Sequence, residues 1–285
     1  MIKELNYAFK DIIYYDSTHS YFCQNQKLTS ITTLLKNLST PFDENYWCVY
    51  KAYEYSGFTV KMIWHSRTSF KANDKIINLY DDHSSLKVSP EQVLLQWERE
   101  SLTGSTRGTY IHSYLESLEQ RLGDPIPLPN IDLPTIDTIK FYQSLSKAEF
   151  LCKDWYNTTK NYLIPIQLEG IVGDSEKGIA GRFDRLYFNI NTQEYEIWDF
   201  KTDKKISREN KYSKFKVFNL PECEFVKYSL QVSFYKKIIE DALQIKIGQS
   251  KIVHFDIKNE QWSIIEAADY TQLIQDSHDN WTTYI

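Results

Sequence analysis

GIAGRFDRLYFNINTQEYEIWDFKTD, residues 178–203, decides how this chain is read. Apolar and polar side chains alternate through both halves of the stretch, with a short polar break between them, so it predicts two strands joined by a turn. YLIPIQLEGIVGD, residues 162–174, alternates in the same way and supplies a third strand, giving an antiparallel meander. Alternation puts Asp199 and Lys201 on one face of their strand and Trp198 and Phe200 on the other. One strand upstream, Asp184 follows Gly181, and neighbouring strands bring Asp184 and Asp199 side by side. Two carboxylates that close repel unless a cation lies between them. A hard oxygen ligand beside an ammonium is what metal-assisted phosphodiester hydrolysis needs. The triplet alone carries little weight, since about three or four [DE]xK triplets are expected by chance at this composition. Triplets begin at Asp199, Asp203, Glu209 and Asp256, and the first stands out by its company.

Downstream, EFVKYSLQVSFYKKIIEDALQ reads as an amphipathic helix ending near Gly248, with Tyr228, Gln231 and Tyr235 on one stripe. SKIVHFDIK and QWSIIEA predict two further strands before a terminal helix. Upstream, to about residue 160, the pattern is mostly helical after a hairpin-like opening at Ile12–Tyr15 and Tyr21–Cys23. Ser30 caps one helix, and Asp43 caps another that stops at Gly57. Ser89 and Pro90 start a third, with Gly104 past its end. A helix from Arg107 to Leu122 stops at Gly123 and carries His112 and Glu116 four residues apart. The prolines of DPIPLPNIDLP mark a stiff connection to a long helix over Thr135–Thr159. The expected division is a mostly helical region, 1–104, packed on an α/β core, 105–285.

With 42% hydrophobic and 25% charged residues, the composition is that of a globular protein with a substantial core. No signal peptide or membrane span is expected, and no membrane partner. The four cysteines form no CxxC pair and read as reduced thiols of a cytoplasmic protein. GxxxxGK[ST], GxGxxG, HExxH and GxSxG are absent. GDSEKGI at 173–179 fails as a phosphate loop because Ile179 and Ala180 stand where Lys and Ser/Thr are needed. The net charge is −5, yet residues 201–216 carry seven basic and two acidic side chains, 7 − 2 = +5. Lys204, Lys205, Arg208 and Lys211 could follow a phosphate backbone with Tyr228 beside them, or simply form a solvated loop. Each site residue also has a bland alternative. Asp199 and Lys201 could be a surface ion pair, His112 a packed histidine, Glu169 a strand-surface charge, and Gln231 and Tyr235 polar tips closing the core. Glu116 reads equally as an ion-pair partner.

GTYIH, Glu169, GRFD, DFK and QVSFY follow one another at the spacing of RecB-like nucleases of the PD-(D/E)XK superfamily, which the chain resembles over about residues 107–258. LTSITTLL resembles the opening of phage-type and mitochondrial genome-maintenance exonucleases of that group. The resemblance implies a restriction-endonuclease-like α/β core (helix, three-stranded meander, helix, strand) with a helical N-terminal elaboration. It implies Mg²⁺ or Mn²⁺ held by Asp184, Asp199, the Phe200 carbonyl and His112. Lys201 would then position the attacking water and stabilise charge, Glu169 would serve a second ion or water, and Gln231 and Tyr235 would orient Lys201 or hold substrate. The third motif carries Asp199 where the superfamily more often has Glu. Some relatives hold an iron–sulfur cluster through cysteines after the QxxxY helix, but no cysteine follows Cys223, so no cluster is expected.

The function expected is that of a sequence-independent, metal-dependent DNA exonuclease acting at ends or on single strands in repair or recombination, with any helicase or recombination partner on a separate chain. The alternatives are a structure-specific DNA or RNA endonuclease on the same site and a non-catalytic nucleic-acid-binding module.

Overall fold

The computed structural model describes residues 2–63, 66–120 and 126–285. The elements in chain order are α1 (Ile2–Ala8), β1 (Ile12–Tyr15), β2 (Ser20–Cys23), β3 (Gln26–Ser30), α2 (Ile31–Leu38) and α3 (Glu44–Tyr55). Then come β4 (Val60–Met62), β5 (Ser69–Ala72), β6 (Lys75–Asn78), α4 (Pro90–Gln120) and α5 (Thr135–Thr159). The meander is β7 (Leu163–Asp174), β8 (Ile179–Asn189) and β9 (Glu194–Lys201), followed by α6 (Glu224–Leu243), β10 (Lys251–Asp256), β11 (Gln261–Glu266), α7 (Thr271–Asp276) and α8 (His278–Trp281). The fold is mixed α/β. It divides into two compact units, one of residues 1–40, 107–130 and 134–285, the other of 41–106 and 131–133. The first forty residues thus belong with the meander and not with the region that follows them.

In the larger unit the sheet has eight strands in the order β1-β2-β3-β8-β9-β10-β11, with β7 also paired to β8. β3 runs parallel to β8 and β9 parallel to β10, while the other pairs are antiparallel. Gln24 and Asn25, at φ +49° and +66°, make the two-residue turn into β3. Both residues at positive φ is the hairpin geometry that matches strand twist. Side-chain alternation feeds two cores. Leu186 and Ile197 join Leu34, Leu35 and Phe234 in one apolar cluster, whereas Tyr187, Trp198 and Phe200 join Ile111, Leu115 and Trp155 in another. The sheet is therefore covered by α2 and α6 through the first cluster and by α4 and α5 through the second.

Several expectations are met residue by residue. Ser30 Oγ accepts from the Thr33 N–H at 3.0 Å, and Asp43 caps α3 through the Tyr46 N–H at 3.1 Å. The Ser89 hydroxyl accepts from the Gln92 N–H at 3.3 Å while Gln92 Oε1 accepts from the Ser89 N–H at 2.9 Å, a reciprocal start to α4. Others need correction. The helix started at Ser89 does not stop at Gly104 but runs on through His112 to Gln120. A Cβ at Gly104 would meet nothing within 4 Å. The roughly 1 kcal/mol that glycine costs a helix interior does not break this one. Beyond the expected opening hairpin, the region expected to be mostly helical holds four further strands among the described residues, β3 to β6. The helix expected to be amphipathic, α6, is enclosed nearly all round, with Ser229, Gln231, Ser233 and Lys236 buried beside its apolar residues. It ends at Leu243 with Gln244 at φ +52°, short of Gly248. The helix stop expected at Gly123 lies outside the described residues.

The smaller unit packs α3 against the antiparallel sheet β4-β5-β6, with Tyr46, Val49, Ala52, Phe70 and Val93 in its core. Asn73 and Asp74 at φ +46° and +65° form the β5–β6 turn. Three of the four tyrosines of α3 are spent on this packing, with Tyr46, Tyr50 and Tyr53 all in ring contact with Phe70, while Tyr55 is exposed. The four cysteines are free and buried in four separate apolar clusters. Among the described residues no helix is long and apolar enough to cross a membrane.

Candidate active site

Three elements of the larger unit converge at one point. His112 comes from α4, Glu169 from β7 and Asp184 from β8, and one ligand atom from each lies within 4.8 Å of the others. His112 Nδ1 is 3.4 Å from Glu169 Oε1 and 3.5 Å from Asp184 Oδ1. The β7–β8 register pairs Leu168 with Arg185 and Gly170 with Phe183, which puts Glu169 opposite Asp184. Glu169 holds this place at φ +49°, a left-handed conformation unfavourable for a residue with a Cβ. Such strain concentrates at functional positions. Burial disfavours charge on His112, but the Asp184 and Glu169 carboxylates outweigh it and raise its pKa. Burial likewise opposes charge on Glu169, and His112, Arg185 and Arg182 more than offset this, lowering its pKa.

Beside this group, β9 contributes Asp199 and Lys201, whose carboxylate and ammonium are 2.6 Å apart. The Asp199 side chain is 1% exposed. Its pKa is pushed up to about 6 by burial, against the pull of Lys201 and with a further push from Asp184. Burial works against the Lys201 charge too, but Asp199 and Asp184 prevail and its pKa is raised, so the amine is an ammonium at neutral pH. The Phe200 N–H between them donates to Asp184 Oδ2 at 2.6 Å. From α6, Gln231 Nε2 donates to Asp199 Oδ1 at 3.5 Å and to the Tyr235 hydroxyl at 3.1 Å. Gly181 makes room for that tyrosine, because a Cβ there would stand 2.5 Å from the Tyr235 ring.

Two arginines flank Asp184. Arg185 is fully buried and donates to Glu119 Oε2 at 2.6 Å, Glu169 Oε1 at 2.8 Å, the Asp184 carbonyl at 2.7 Å and the His112 carbonyl at 3.3 Å. Glu119 also accepts from the Tyr187 hydroxyl. Arg182 is half-buried, with Nε 3.2 Å from Glu169 Oε2 and its guanidinium 5.0 Å above the Tyr14 ring. A cleft of about 770 Å³ opens here. His112, Glu169, Asp184 and Arg182 line one part, and Tyr14, His19 and the Ser30, Thr32 and Thr33 side chains line another.

The structure brings together His112, Glu169, Asp184, Asp199, Lys201, Gln231 and Tyr235. It distributes them differently from the sequence expectation. Asp199 stands outside the three-residue group and is held by Lys201 and Gln231, whereas Glu169 is inside it. Phe200 meets Asp184 through its N–H. Tyr228 is buried, with Lys201 4.7 Å above its ring and its hydroxyl donating to Asp203 at 2.7 Å, so it supports the lysine and does not offer a free face to a base. Lys204, Lys205, Arg208 and Lys211 are exposed along the segment after β9. Sequence reasoning passed over Arg182, Arg185 and Glu119. The signal for the first two was in view, since an arginine stands two residues before Asp184 and another directly after it.

Comparison with protein-family models and with curated proteins found no match for this chain.

Proposed function

We propose that this cleft is the active site of a metal-dependent nuclease on a restriction-endonuclease-like core, hydrolysing DNA at ends or on single strands without sequence preference. The observation that carries the reading is the convergence of His112, Glu169 and Asp184 beside the buried Asp199–Lys201 pair. The donor set fits a hard divalent cation. Carboxylate oxygens suit Mg²⁺ and Mn²⁺ alike, and the imidazole nitrogen favours Mn²⁺. His112, Glu169 and Asp184 would hold the ion, with Asp199 adjacent. Bound there, it supplies Lewis-acid polarisation of a phosphoryl oxygen and a more acidic water.

The chain's own groups account for the rest. Lys201, charged at neutral pH, acts as an electrostatic stabiliser of the phosphate and not as a general base. Asp199 fixes that ammonium, and Gln231, tied to Tyr235, fixes Asp199. Arg185 holds Glu169 and the backbone of Asp184 and His112 in place. The exposed basic side chains after β9 would follow a phosphate backbone. In the order of its strands and helices the larger unit agrees with the PD-(D/E)XK likeness, which supports the reading.

The test is incubation of end-labelled single- and double-stranded DNA, circular DNA and RNA with Mg²⁺, Mn²⁺ or EDTA. Cleavage of linear DNA that needs the cation, and a loss of about 10²–10³-fold or more in Asp184→Ala and Lys201→Met, is expected. Cleavage of circles or of RNA at equal rates would move the reading to an endonuclease. Binding without cleavage in either metal would leave a nucleic-acid-binding module.

A further inference from the structure

The two oxygens of Glu169 have unlike partners. Oε1 is held by Arg185, which is fully buried and anchored by three other acceptors. Oε2 faces Arg182, which lines the cleft and is 37% exposed along its side chain. Its remaining contacts are loose, with Nη1 3.9 Å from the exposed Asp16 and its guanidinium over the Tyr14 ring. A partly exposed ion pair of this kind is weak, so exchanging its partner is cheap.

Resting on the nuclease reading, we propose that Arg182 is a phosphate-binding residue that guards the cation site. It neutralises Glu169 until a nucleotide phosphate draws it away, and this couples cation and phosphate binding. The physical basis is competition. A divalent cation bound through Glu169 places positive charge against the guanidinium and repels it. A phosphate offers that planar fork a better partner, two oxygens in place of one. Arg185 cannot make this exchange, because moving it would leave Glu119 a buried, unpaired carboxylate. Lys201 is held by Asp199. Whatever releases Arg182 from Glu169 strengthens cation binding, and by reciprocity the cation strengthens phosphate binding to the same degree.

The experiment is a Mn²⁺ titration of the full chain, with free Mn²⁺ read by electron paramagnetic resonance, alone and with thymidine 5′-monophosphate or plain thymidine. In the wild type the monophosphate should tighten Mn²⁺ binding and thymidine should not. Arg182→Gln should bind Mn²⁺ alone roughly two- to fivefold more tightly, the equivalent of losing a partly exposed ion pair, and should lose the response to the monophosphate. Arg182→Lys, which keeps the charge without the fork, should hold Mn²⁺ like the wild type and keep only part of the response. Unchanged or weaker Mn²⁺ binding in Arg182→Gln, or a monophosphate response that survives in it, overturns the guard while leaving the metal site standing. Wild-type protein that binds Mn²⁺ no better than Asp184→Asn overturns the nuclease reading itself.

Discussion

Asp184 Oδ2 accepts the Phe200 N–H at 2.6 Å, so the carboxylate of one strand is fixed by the backbone of the next, between the two residues of the acid–lysine pair. That bond commits one oxygen and leaves Oδ1 facing His112 at 3.5 Å. The geometry of the candidate cation site is therefore set by sheet register, and side-chain rotamers have little freedom to change it.

Arg185 should be the most consequential residue for stability. Replacing it with methionine strands Glu119, whose carboxyl burial already holds above its usual pKa, and should cost about 3–5 kcal/mol in urea unfolding. Adding Glu119→Gln should recover a substantial part of that loss, since the uncompensated charge goes with it. A double variant no more stable than the single one would contradict this account.

Glu169 carries its strain in the backbone. Glu169→Gly and Glu169→Ala delete the same carboxylate, yet the glycine variant should be more stable by about 1 kcal/mol because only glycine adopts positive φ freely. Equal stabilities would mean that position 169 relaxes.

Asp199 gives the metal-free protein a particular pH dependence. Its folded pKa of about 6 exceeds that of an unfolded aspartate, about 4, so between these values the folded chain keeps a proton that the unfolded chain has released. The stability it contributes is complete below about pH 4 and disappears as pH rises through about 6, a loss of about 2–3 kcal/mol. Asp199→Asn should lack this decline. In EDTA, the difference in unfolding free energy between variant and wild type should move in the variant's favour from pH 4.5 to 7.

Gly181→Ala should destabilise by about 1–3 kcal/mol, because its methyl group meets the Tyr235 ring at the core of the site. Displacing that ring also shifts Gln231 and with it Asp199. Pairing the change with Tyr235→Leu should restore most of the stability but not the support for Asp199. Melting curves for the two single variants and the double one separate these effects.

The meander was legible because period-two alternation survives wherever a strand divides two cores, as Ile197 and Trp198 do by entering different clusters. Of the seven candidate residues, Asp184, Asp199 and Lys201 were legible from the same alternation, Gln231 and Tyr235 from their four-residue helical spacing, and His112 and Glu169 from the order of motifs in the family resemblance. The β4–β6 sheet was not, because strands of three or four residues carry too little pattern. The Asn73–Asp74 pair, suited to a positive-φ turn, was the available clue. Gly104 misled because a glycine signals a helix end only when the backbone there turns, and in α4 it does not. The division of labour between Glu169 and Asp199 depends on which cation each carboxylate meets, which spacing along the chain does not encode.

The parallel pairing of Thr29 with Ile179 joins residues 150 positions apart, 179 − 29. On a ribosome adding about 5–20 residues per second, β3 waits roughly 8–30 s for the strand that completes it. During that interval its open edge and the apolar face of the helix after it have no native partner. The nascent chain therefore exposes a sticky hairpin until β8 has emerged, and the cleft, which also takes Gln231 and Tyr235 from α6, forms later still.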